Sequence, residues 1–530
     1  MGSGERSGGN GSVFNPALEC ARMLVPARSD AAVAARTSRA LRVASSSVEA
    51  WLLAGVVVVG AWLRFSTLGA QSYWFDEAQA AHELHLSFGS MLNSMVVHET
   101  NPPLYFVLGW LWARVFGTGE VGLRSLSALA GTAVIPVAYL CGRELVSRRA
   151  GLLAAGLTAL SPFMIWYSQE AREYMLLALL CGASLLYFAR SWHDPSRRNV
   201  ALWGVFSALA VLTHAFAGFL VAPEALWLLY VIRDRMIAVA VGIVAAVQLA
   251  LTPLLFNHAT KSLLGFITAT PLHLRIQQVP VAFGLGTLYE SPGVRYGLLG
   301  AAVLVGACIV LLLVGADASE LRGAGAAAAL AAVVLLVPLV LALLGEDYYI
   351  PRALMPAWIP LAVVVGAACT AQRARAPGAV LAVVLLASFV YAQVKISENA
   401  QYQRPDWRGV ARALGPARAT RAIIANDGSA ATDPLAIYLP GVPWTSAPTG
   451  PVTVDEVDVV GHRWQMVGHP LPAGTRLVNT KSVDDFLVAR FSIGGARALS
   501  QPQITALAGQ LLTPAVPGAA VLVQSPRAPR

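Results

Sequence analysis

The chain has 530 residues, of which 56% are hydrophobic and only 13% are charged. An ordinary soluble protein is excluded, because soluble domains carry about 25% charged residues, and the composition indicates a membrane protein that crosses the bilayer many times. The formal net charge of +9 does not indicate a nucleic-acid partner, since the arginines cluster in short links between apolar runs, where they orient a membrane protein.

The first 48 residues are rich in Gly, Ala, Ser and Arg and show no lasting apolar period, which predicts a disordered cytoplasmic tail. The first apolar run begins too late for a usual signal peptide, so we expect an uncleaved first helix. The cysteines show no spacing typical of disulfides or metal sites. We expect them to be packing residues: Cys20, Cys141, Cys181, Cys308 and Cys369.

Twelve apolar runs follow. They lie near residues 51–68, 102–117, 121–142, 151–166, 173–190, 199–215, 217–232, 236–255, 295–315, 324–344, 352–370 and 378–394. Five arginine-containing links are typical of the cytoplasmic side, and all five can lie there only if one early run does not span. Run 102–117 starts with two prolines, carries Arg114 and is short for a span of about 20 residues. We therefore predict that it lies in the membrane interface.

This leaves an all-α bundle of about eleven transmembrane helices, with the N-terminus inside. The segments predicted to face outside are 69–120, 167–172, 255–294, 345–351 and the tail from residue 395. The tail alternates short β-prone runs, at residues 422–425, 452–454 and 520–523, with helix-like stretches such as residues 483–489. This alternation predicts a small α/β domain outside the membrane.

Three of the outward segments place ionisable residues beside aromatic ones. The first holds Asp76 and Glu77 next to Trp74, the second holds Arg172, and the third holds Arg352. A carboxylate at such a place can accept a proton from an attacking hydroxyl, and an arginine can bind a phosphate and stabilise it as a leaving group. The combination predicts transfer from a lipid phosphate.

Simpler interpretations stay open for these residues. Charges at helix ends are usually only solvated; Arg172 can pair with Glu170 or Glu173, and Arg352 with Asp347. Arg64 is harder to dismiss, because an arginine inside a span needs a partner or a water-filled cavity. A metal site and a polar interface explain equally well the grouping of Asp76 with His82, His85 and His98.

A family resemblance appears when the motifs are read together. The runs are Arg64-Phe-x-x-Leu68, Ser72-Tyr-Trp-Phe-Asp-Glu-Ala78, Asn101-Pro-Pro-Leu-Tyr105, Leu123-Arg-x-Leu-Ser-Ala128, Tyr167-Ser-Gln-Glu-Ala-Arg-x-Tyr174, Tyr349-Ile-Pro-Arg-Ala-Leu-Met-Pro356 and Tyr402-Gln-Arg-Pro-Asp-Trp-Arg-Gly409. Over roughly residues 50 to 410 the chain resembles the dolichyl-phosphate-mannose-protein mannosyltransferase-like branch of the GT-C membrane glycosyltransferases. It departs from that pattern at Asn101, where many relatives carry His, and at Ala353, where an aromatic residue is usual.

The resemblance implies an inverting transfer of a sugar, mannose or another hexose or pentose, from a polyprenyl-phosphate donor to an acceptor hydroxyl on the outer face of the membrane. Asp76 would be the general base, and Glu77 would help to orient it. The substrate-binding residues implied are Arg64, Asn101, Tyr105, Glu170, Arg172, Tyr174 and Arg352. No metal ligand is assigned and no cofactor is certain, although a divalent metal stays possible.

We therefore predict a multi-pass enzyme of the bacterial plasma membrane with an extracytoplasmic active site. Its domains would be a disordered tail (1–48), a GT-C-like transmembrane catalytic domain (49–395) and an extracytoplasmic α/β domain (396–530). Its partners would be the donor lipid, membrane lipid and a glycan, lipid or protein acceptor, without nucleic acid. The rival from another class is a transporter or flippase of lipid-linked sugars, which predicts ionisable residues within the spans; the spans are nearly free of mid-membrane acids. A third alternative is a non-enzymatic assembly partner with the same fold.

Overall fold

The computed structural model describes part of the chain. The described residues are Gly2 and residues 47–98, 101–255, 265–290, 294–425, 429–439, 441–442, 451–462, 466–467, 471–513 and 520–526. The chain divides into two units, Met1–Gly55 and Val56–Arg530, and in the first only Gly2 and the beginning of a helix are described. The predicted disordered tail, with Cys20, therefore lies almost wholly outside the described residues.

Helices dominate the described residues. They are α1 (Ser47–Phe65), α2 (Phe75–His85), α3 (Phe88–His98), α4 (Leu104–Phe116), α5 (Glu120–Leu145), α6 (Arg148–Leu160), α7 (Pro162–Ser168), α8 (Tyr174–His193), α9 (Arg197–Thr213), α10 (Gly218–Ile232), α11 (Arg235–Leu255), α12 (Gly265–Ala269), α13 (Leu272–Leu285), α14 (Val294–Gly315), α15 (Ala318–Leu343), α16 (Trp358–Thr370), α17 (Arg375–Glu398), α18 (Trp407–Leu414), α19 (Ser429–Tyr438) and α20 (Gln501–Leu511). Short 3₁₀ turns lie at Ala215–Ala217, Gly286–Glu290, Pro351–Ala357 and Ala400–Tyr402.

Nine helices in the described part of the chain are long and apolar enough to cross a bilayer, and the bent pair α6 and α7 is a tenth candidate. The chain is thus a multi-pass membrane protein, as predicted. Helix α9 has 17 residues, the lower limit for a span, so the number eleven stays a prediction that requires α9 to cross. Helix α4 has 13 residues, about 20 Å, and is too short to cross a hydrocarbon core of about 30 Å.

The bend between α6 and α7 is 58° and has a local cause. Ser161 ends α6 and caps α7, its side chain accepting a hydrogen bond from the Met164 N–H at 3.2 Å. Pro162 follows as the first residue of α7, where its missing N–H costs nothing. The bend leads the chain into the short link 169–173, which carries Glu170 and Arg172.

One acid lies in the middle of a membrane span, and the sequence analysis gave this acid no role. Glu224 on α10 is fully buried. Its Oε2 accepts hydrogen bonds from the Ser184 hydroxyl at 2.5 Å and from the Trp203 indole at 3.0 Å. Because these donors belong to α8 and α9, Glu224 joins three helices, which is the usual arrangement for a polar side chain inside a membrane protein.

Replacing Glu224 tests this joining role. Glu224→Gln keeps an acceptor for both donors, so we expect thermal unfolding in detergent close to that of the wild type. Glu224→Ala leaves the Ser184 and Trp203 donors buried without a partner, which costs about 1–3 kcal/mol per group, so its unfolding midpoint should fall clearly. Equal midpoints for the two variants would contradict the assignment.

The C-terminal region contains a mixed five-stranded sheet, in the order β4 (Arg476–Val483), β5 (Phe486–Leu499), β2 (Val452–His462), β1 (Arg421–Ala425) and β7 (Ala520–Gln524). Strands β1 and β2 are parallel, and the other pairs are antiparallel. A two-stranded ladder joins β3 (Met466–Val467) to β6 (Leu512–Thr513). The predicted fold class, a helical membrane bundle with a small α/β domain, is confirmed, and all three β-prone runs lie in strands.

One local prediction in this region is wrong. Residues 483–489 are not helical, because Val483 ends β4 and Phe486 begins β5. The intervening Asp484 has φ of 46°, a left-handed conformation that Asp tolerates in tight turns. Phe486 and Val488 are both buried, which is the period of two that a half-buried strand requires.

Helices cover both faces of the sheet because neighbouring side chains of a strand point to opposite faces. Ile423 and Ala425 of β1 pack in one cluster with the α18 residues Trp407 and Val410. Ala422 and Ile424 pack in a second cluster with Ile504 of α20. The region therefore has its own hydrophobic core.

Candidate functional site

Four segments far apart in the sequence meet around the acidic pair. They are the first turn of α2 with Asp76 and Glu77, the link 169–173, the turn Pro351–Ala357 and the link 399–406 that follows α17. Arginines and carboxylates connect these segments. The convergence brings together ionisable residues from all three outward segments that the sequence analysis singled out.

Asp76 is the acid that remains accessible. Its carboxylate is 17% exposed, and Oδ2 lies 3.4 Å from Nη2 of Arg352. The Arg352 guanidinium lies over the rings of Trp74 and Tyr174, at 5.5 and 5.9 Å from their centroids. Arg352 therefore pairs with Asp76, whereas Asp347, the partner considered from the sequence, binds Arg275 in two hydrogen bonds.

Glu77, the neighbouring acid, is fully buried in an ion pair. Its two oxygens accept hydrogen bonds from Arg124 at 2.7 and 2.6 Å, and Oε1 also accepts from the Ala171 N–H at 2.9 Å. Burial would raise the pKa of Glu77, but the charge and hydrogen bonds of Arg124, with the charge of Arg404, lower the pKa below its usual range. Glu77 is thus a charged anchor that fixes the start of α2.

Arg124 is a site residue to which the sequence analysis gave no role, although it lies in a quoted motif. Besides Glu77, its guanidinium donates to three backbone carbonyls of the loop before Asp76, those of Leu68, Gln71 and Ser72. The signal was present in the sequence, because an arginine in an apolar helix needs a buried partner. The identity of that partner depended on the tertiary fold.

Glu170 and Arg404 form a second buried pair. Arg404 Nη2 lies 3.2 Å from Glu170 Oε2, and Arg404 Nε lies 3.7 Å from Glu77 Oε2. The guanidinium also stacks on the Trp166 ring at 4.1 Å. Burial raises the pKa of Glu170 to about 7, against the opposing charge of Arg404. Arg404, which the sequence analysis did not single out, therefore ties the link after α17 to the acidic pair.

The raised pKa of Glu170 predicts a pH-dependent stability. A group that binds its proton more tightly when folded stabilises the fold at low pH and loses that contribution as the pH rises through the folded pKa of about 7. The shift from an ordinary value of 4.5 corresponds to about 3 kcal/mol. We expect Glu170→Gln to raise the thermal midpoint at pH 8 relative to the wild type and to have little effect at pH 5. An equal effect at both pH values would contradict the assignment.

Arg172 is held by the residue next to it. Its Nε lies 3.1 Å from Glu173 Oε2, and Glu173 Oε1 accepts a hydrogen bond from Asn101 at 2.8 Å. Arg172 Nη1 also lies 3.5 Å from the Asp76 carbonyl oxygen. Asn101 thus reaches the site through Glu173, and Tyr105, which is 1% exposed, lies beneath it in the packed core of α4.

The Arg64 side chain contacts the bend between α6 and α7. Its guanidinium is fully buried and donates to the Thr158 and Ala159 carbonyls at the end of α6, to the Gly60 carbonyl and to the Ser168 hydroxyl. The partner that an intramembrane arginine requires is therefore the bend between α6 and α7. The substrate contact that the resemblance implies for Arg64 stays a prediction.

His214, the cap between α9 and the following 3₁₀ turn, lies within the influence of the arginines of the site, although no sequence motif assigns it a role. Burial lowers the pKa of His214 to about 3, helped by the charges of Arg172 and Arg352, so the ring is neutral. Its Nδ1 accepts a hydrogen bond from the Phe216 N–H at 3.1 Å. The proton of the neutral ring is therefore on Nε2, which is a donor.

Two buried polar atoms near Arg352 have no hydrogen-bond partner among the described residues. They are the Trp74 indole Nε1 and the Glu170 Oε1. Buried polar groups in folded proteins are nearly always satisfied. An unsatisfied donor and an unsatisfied acceptor near one arginine are what a site for a polar ligand requires.

Within the described ranges, no group of three or more His, Cys, Asp or Glu side chains is placed to hold a metal ion. The His98 side chain lies outside the described part of the structure, so the alternative that combined it with His82, His85 and Asp76 is not addressed as a whole.

Comparison with known proteins adds a family match. Residues 100–259 match the family model described as dolichyl-phosphate-mannose-protein mannosyltransferase. Among curated proteins, none matches the chain. Solved structures with a similar fold include ArnT from Cupriavidus metallidurans in the apo state (14% identity, 84% of this chain and 98% of that chain, TM-score 0.49) and bound to undecaprenyl phosphate (15% identity, 83% and 97%, TM-score 0.48). Another is the Archaeoglobus fulgidus oligosaccharyltransferase (17% identity, 68% and 55%, TM-score 0.41). Over residues 100–259 the chain is thus similar to the dolichyl-phosphate-mannose-protein mannosyltransferases, a family of glycosyltransferases, and this confirms the resemblance that its motifs indicate.

Proposed function

We propose that the protein transfers a sugar from a polyprenyl-phosphate donor to an acceptor hydroxyl, with Asp76 as the general base. The observation that carries this proposal is the pairing of an accessible carboxylate, Asp76, with an arginine, Arg352, at 3.4 Å. The pair combines a proton acceptor and a phosphate-binding group within one hydrogen-bonding distance of each other. The match to the mannosyltransferase family over residues 100–259 supports the same reaction class.

The chemistry follows from these two groups. Asp76 accepts the proton of the acceptor hydroxyl as its oxygen forms a bond to the anomeric carbon of the donor. The bond from that carbon to the phosphate oxygen breaks, and polyprenyl phosphate leaves with the electron pair. Attack on the face opposite to the leaving group inverts the anomeric configuration. Arg352 stabilises the charge that develops on the phosphate, because a guanidinium matches phosphate geometry.

The remaining residues have supporting roles in this proposal. We assign contacts with the phosphate or the sugar to Arg172, His214 and Tyr174, since the Tyr174 ring lies 5.9 Å from the Arg352 guanidinium and the charges of Arg172 and Arg352 both act on His214. The neutral His214 would donate from Nε2. Glu170 offers its free Oε1 to a sugar hydroxyl. Asn101 and Tyr105 act through Glu173 and the packed α4, Arg64 holds the bend, and Glu77 orients Asp76.

A cleft beside the site suits an amphiphilic molecule. It is lined by apolar and amide side chains from the loop after α1, from α7 and the residue that follows it, and from α17, including Ile165, Gln169, Gln393 and Ile396. Trp166, on which Arg404 stacks, forms part of its wall. A polyprenyl phosphate or an amphiphilic acceptor would place its polar end near the ion pairs and its apolar part against the helices.

The transport alternative relies on charged groups within the spans. Glu224 is such a group, but its carboxylate is fully buried and bound by Ser184 and Trp203. These contacts favour a structural role for Glu224 over a role in moving a substrate across the membrane. The side that carries the active site follows from the arginine pattern of the links, and we propose the extracytoplasmic side of a bacterial plasma membrane.

The decisive experiment uses the full chain in lipid nanodiscs with a panel of polyprenyl-phosphate sugars. Release of free polyprenyl phosphate that depends on an added acceptor would establish the transferase and identify the donor. Binding of the donors without release, combined with movement of the lipid between leaflets in vesicles, would replace this proposal with transport. Binding without either outcome would point to the non-enzymatic assembly partner.

A further inference from the structure

We propose that the C-terminal α/β region is part of the catalytic centre, because Tyr438 and Arg408 position the loop that leads into Asp76. This inference rests on the proposed role of Asp76 as the general base. The loop comprises residues 68–74, between α1 and α2, and is called the approach loop below. Tyr438 and Arg408 act through this loop and are positioning residues.

The carbonyl groups of the approach loop are bound by two arginines from distant parts of the chain. Arg124 of α5 donates hydrogen bonds to the carbonyls of residues 68, 71 and 72 at 2.7 to 2.9 Å. Arg408 of α18 donates hydrogen bonds to the two intervening carbonyls, that of Gly69 at 3.1 Å and that of Ala70 at 2.9 Å. Five consecutive carbonyls thus accept hydrogen bonds from guanidinium groups, which specifies the path of the loop.

Tyr438 completes this arrangement at the residue where the loop approaches α2. Its hydroxyl oxygen accepts a hydrogen bond from the Tyr73 N–H at 2.8 Å and donates to Glu120 Oε1 at 2.7 Å. Tyr438 is the last residue of α19, which packs against the sheet. The position of the Tyr73 backbone is therefore tied to the folded C-terminal region.

Further contacts come from the link before α18. The Ser72 hydroxyl donates to the Pro405 carbonyl at 2.9 Å, and the Arg404 N–H donates to Gln71 Oε1 at 3.1 Å. Together with Tyr438 and Arg408, these residues contact every position of the loop from 69 to 73. All of them follow residue 400, so the contacts form only when that region has folded against the loop.

These contacts act together with the anchor at Glu77 to set the position of Asp76, because α2 has no side-chain cap of its own. Trp74 is the residue before α2, and no side chain caps the first turn there. Asp76 lies in that turn, three residues after Tyr73. A displacement of the loop is therefore passed to the carboxylate, and a misplacement of about 1 Å can cost about 100-fold in rate.

Tyr438→Phe is the sharpest variant because it removes one hydroxyl and keeps the packed ring. Arg408 also forms a partly exposed ion pair with Glu120. Exposed ion pairs contribute little to stability. The loop contacts of Arg408 are therefore tested in a separate variant. We expect Tyr438→Phe in the full chain to lower kcat about 10-fold or more, with the KM for the donor within about twofold of wild type. Hydrogen exchange in the peptide covering residues 68–76 should become faster.

Tyr391→Phe is the matched control. Tyr391 on α17 is exposed, and removal of its hydroxyl should change neither kcat nor exchange in the approach loop. If Tyr438→Phe unfolds the protein, Arg408→Gln replaces it, because this change removes two bonds to the loop and leaves the sheet region untouched. The same loss of kcat with an unchanged KM is then expected.

The inference is overturned if the tested variant keeps wild-type kcat, whether or not exchange in the loop changes. It is also overturned if KM alone rises, because that result would place Tyr438 in substrate binding. Failure of the proposed function has a different signature. In that case the wild type releases no polyprenyl phosphate from any donor, while the exchange difference at residues 68–76 still decides whether Tyr438 holds the loop.

Discussion

Replacing Asp76 with Asn should reduce sugar transfer by about 100- to 10,000-fold, the range that general base catalysis contributes. Asn has nearly the same shape and keeps an oxygen that can accept from Arg352, whose Nη2 lies 3.4 Å from the carboxylate. It lacks the ability to take the proton from the acceptor hydroxyl. Turnover should therefore fall while the KM for the donor and the thermal midpoint stay close to wild type.

Release of polyprenyl phosphate from the donor identified in the panel is the measurement for this variant. Glu346→Gln is a suitable control, because Glu346 is an exposed acid in the link before Arg352 and has no part in the proposed chemistry. Full activity of Asp76→Asn would exclude Asp76 as the base. Loss of donor binding in the same variant would mean that Asp76 acts on the ground state rather than on proton transfer.

The Glu77→Gln variant should be strongly destabilised. Breaking a buried ion pair by removing one charge costs about 3–5 kcal/mol, and here the change leaves Arg124 without its carboxylate and weakens the attraction to Arg404. The expected result is a large fall in the thermal midpoint, with lower activity because the start of α2 is released. The folded-state pKa of Glu77 is lowered, so its stabilising contribution is present at neutral pH and is lost as the pH falls through that value.

Glu144→Gln provides the comparison for this effect. Glu144 also pairs with an arginine, Arg143 at 2.8 Å, but both side chains are partly exposed, and such pairs contribute about 0–1 kcal/mol. Equal midpoints for the Glu77 and Glu144 variants would show that Glu77 is not the anchor described here. A stable Glu77→Gln variant without activity would instead move Glu77 into the chemistry.

Much of the site was readable from the sequence, for a physical reason. Charged residues beside aromatic ones in the outer links of an apolar chain are rare enough to attract attention, so Asp76, Glu77, Arg172 and Arg352 were singled out. Their pairing was not readable. Arg352 has Asp347 close by in the sequence, yet it pairs with Asp76 in the first turn of α2, because the fold brings these two distant segments together.

The residues that were missed share one property. Arg124, Arg404 and His214 are defined by partners far along the chain, and no local pattern reveals such partners. His214 shows this best: in the sequence it is a histidine at the end of an apolar run, and only the fold shows the burial and the neighbouring guanidinium groups that lower its pKa. In the same way, Phe486 and Val488 belong to a strand, although residues 483–489 look helix-like in the sequence.

The order of the contacts in the approach loop has a consequence for biosynthesis. Gln71 and Arg404 are 333 residues apart, and Gly69 and Arg408 are 339 apart. Chains are made from the N-terminus at about 5–20 residues per second, so the segment with Asp76 is synthesised well before the residues that hold it. A nascent chain that has inserted its membrane helices would still carry an Asp76 carboxylate that is not held in place. We expect transfer to begin only after the contacting residues beyond residue 400 have been translated and have folded.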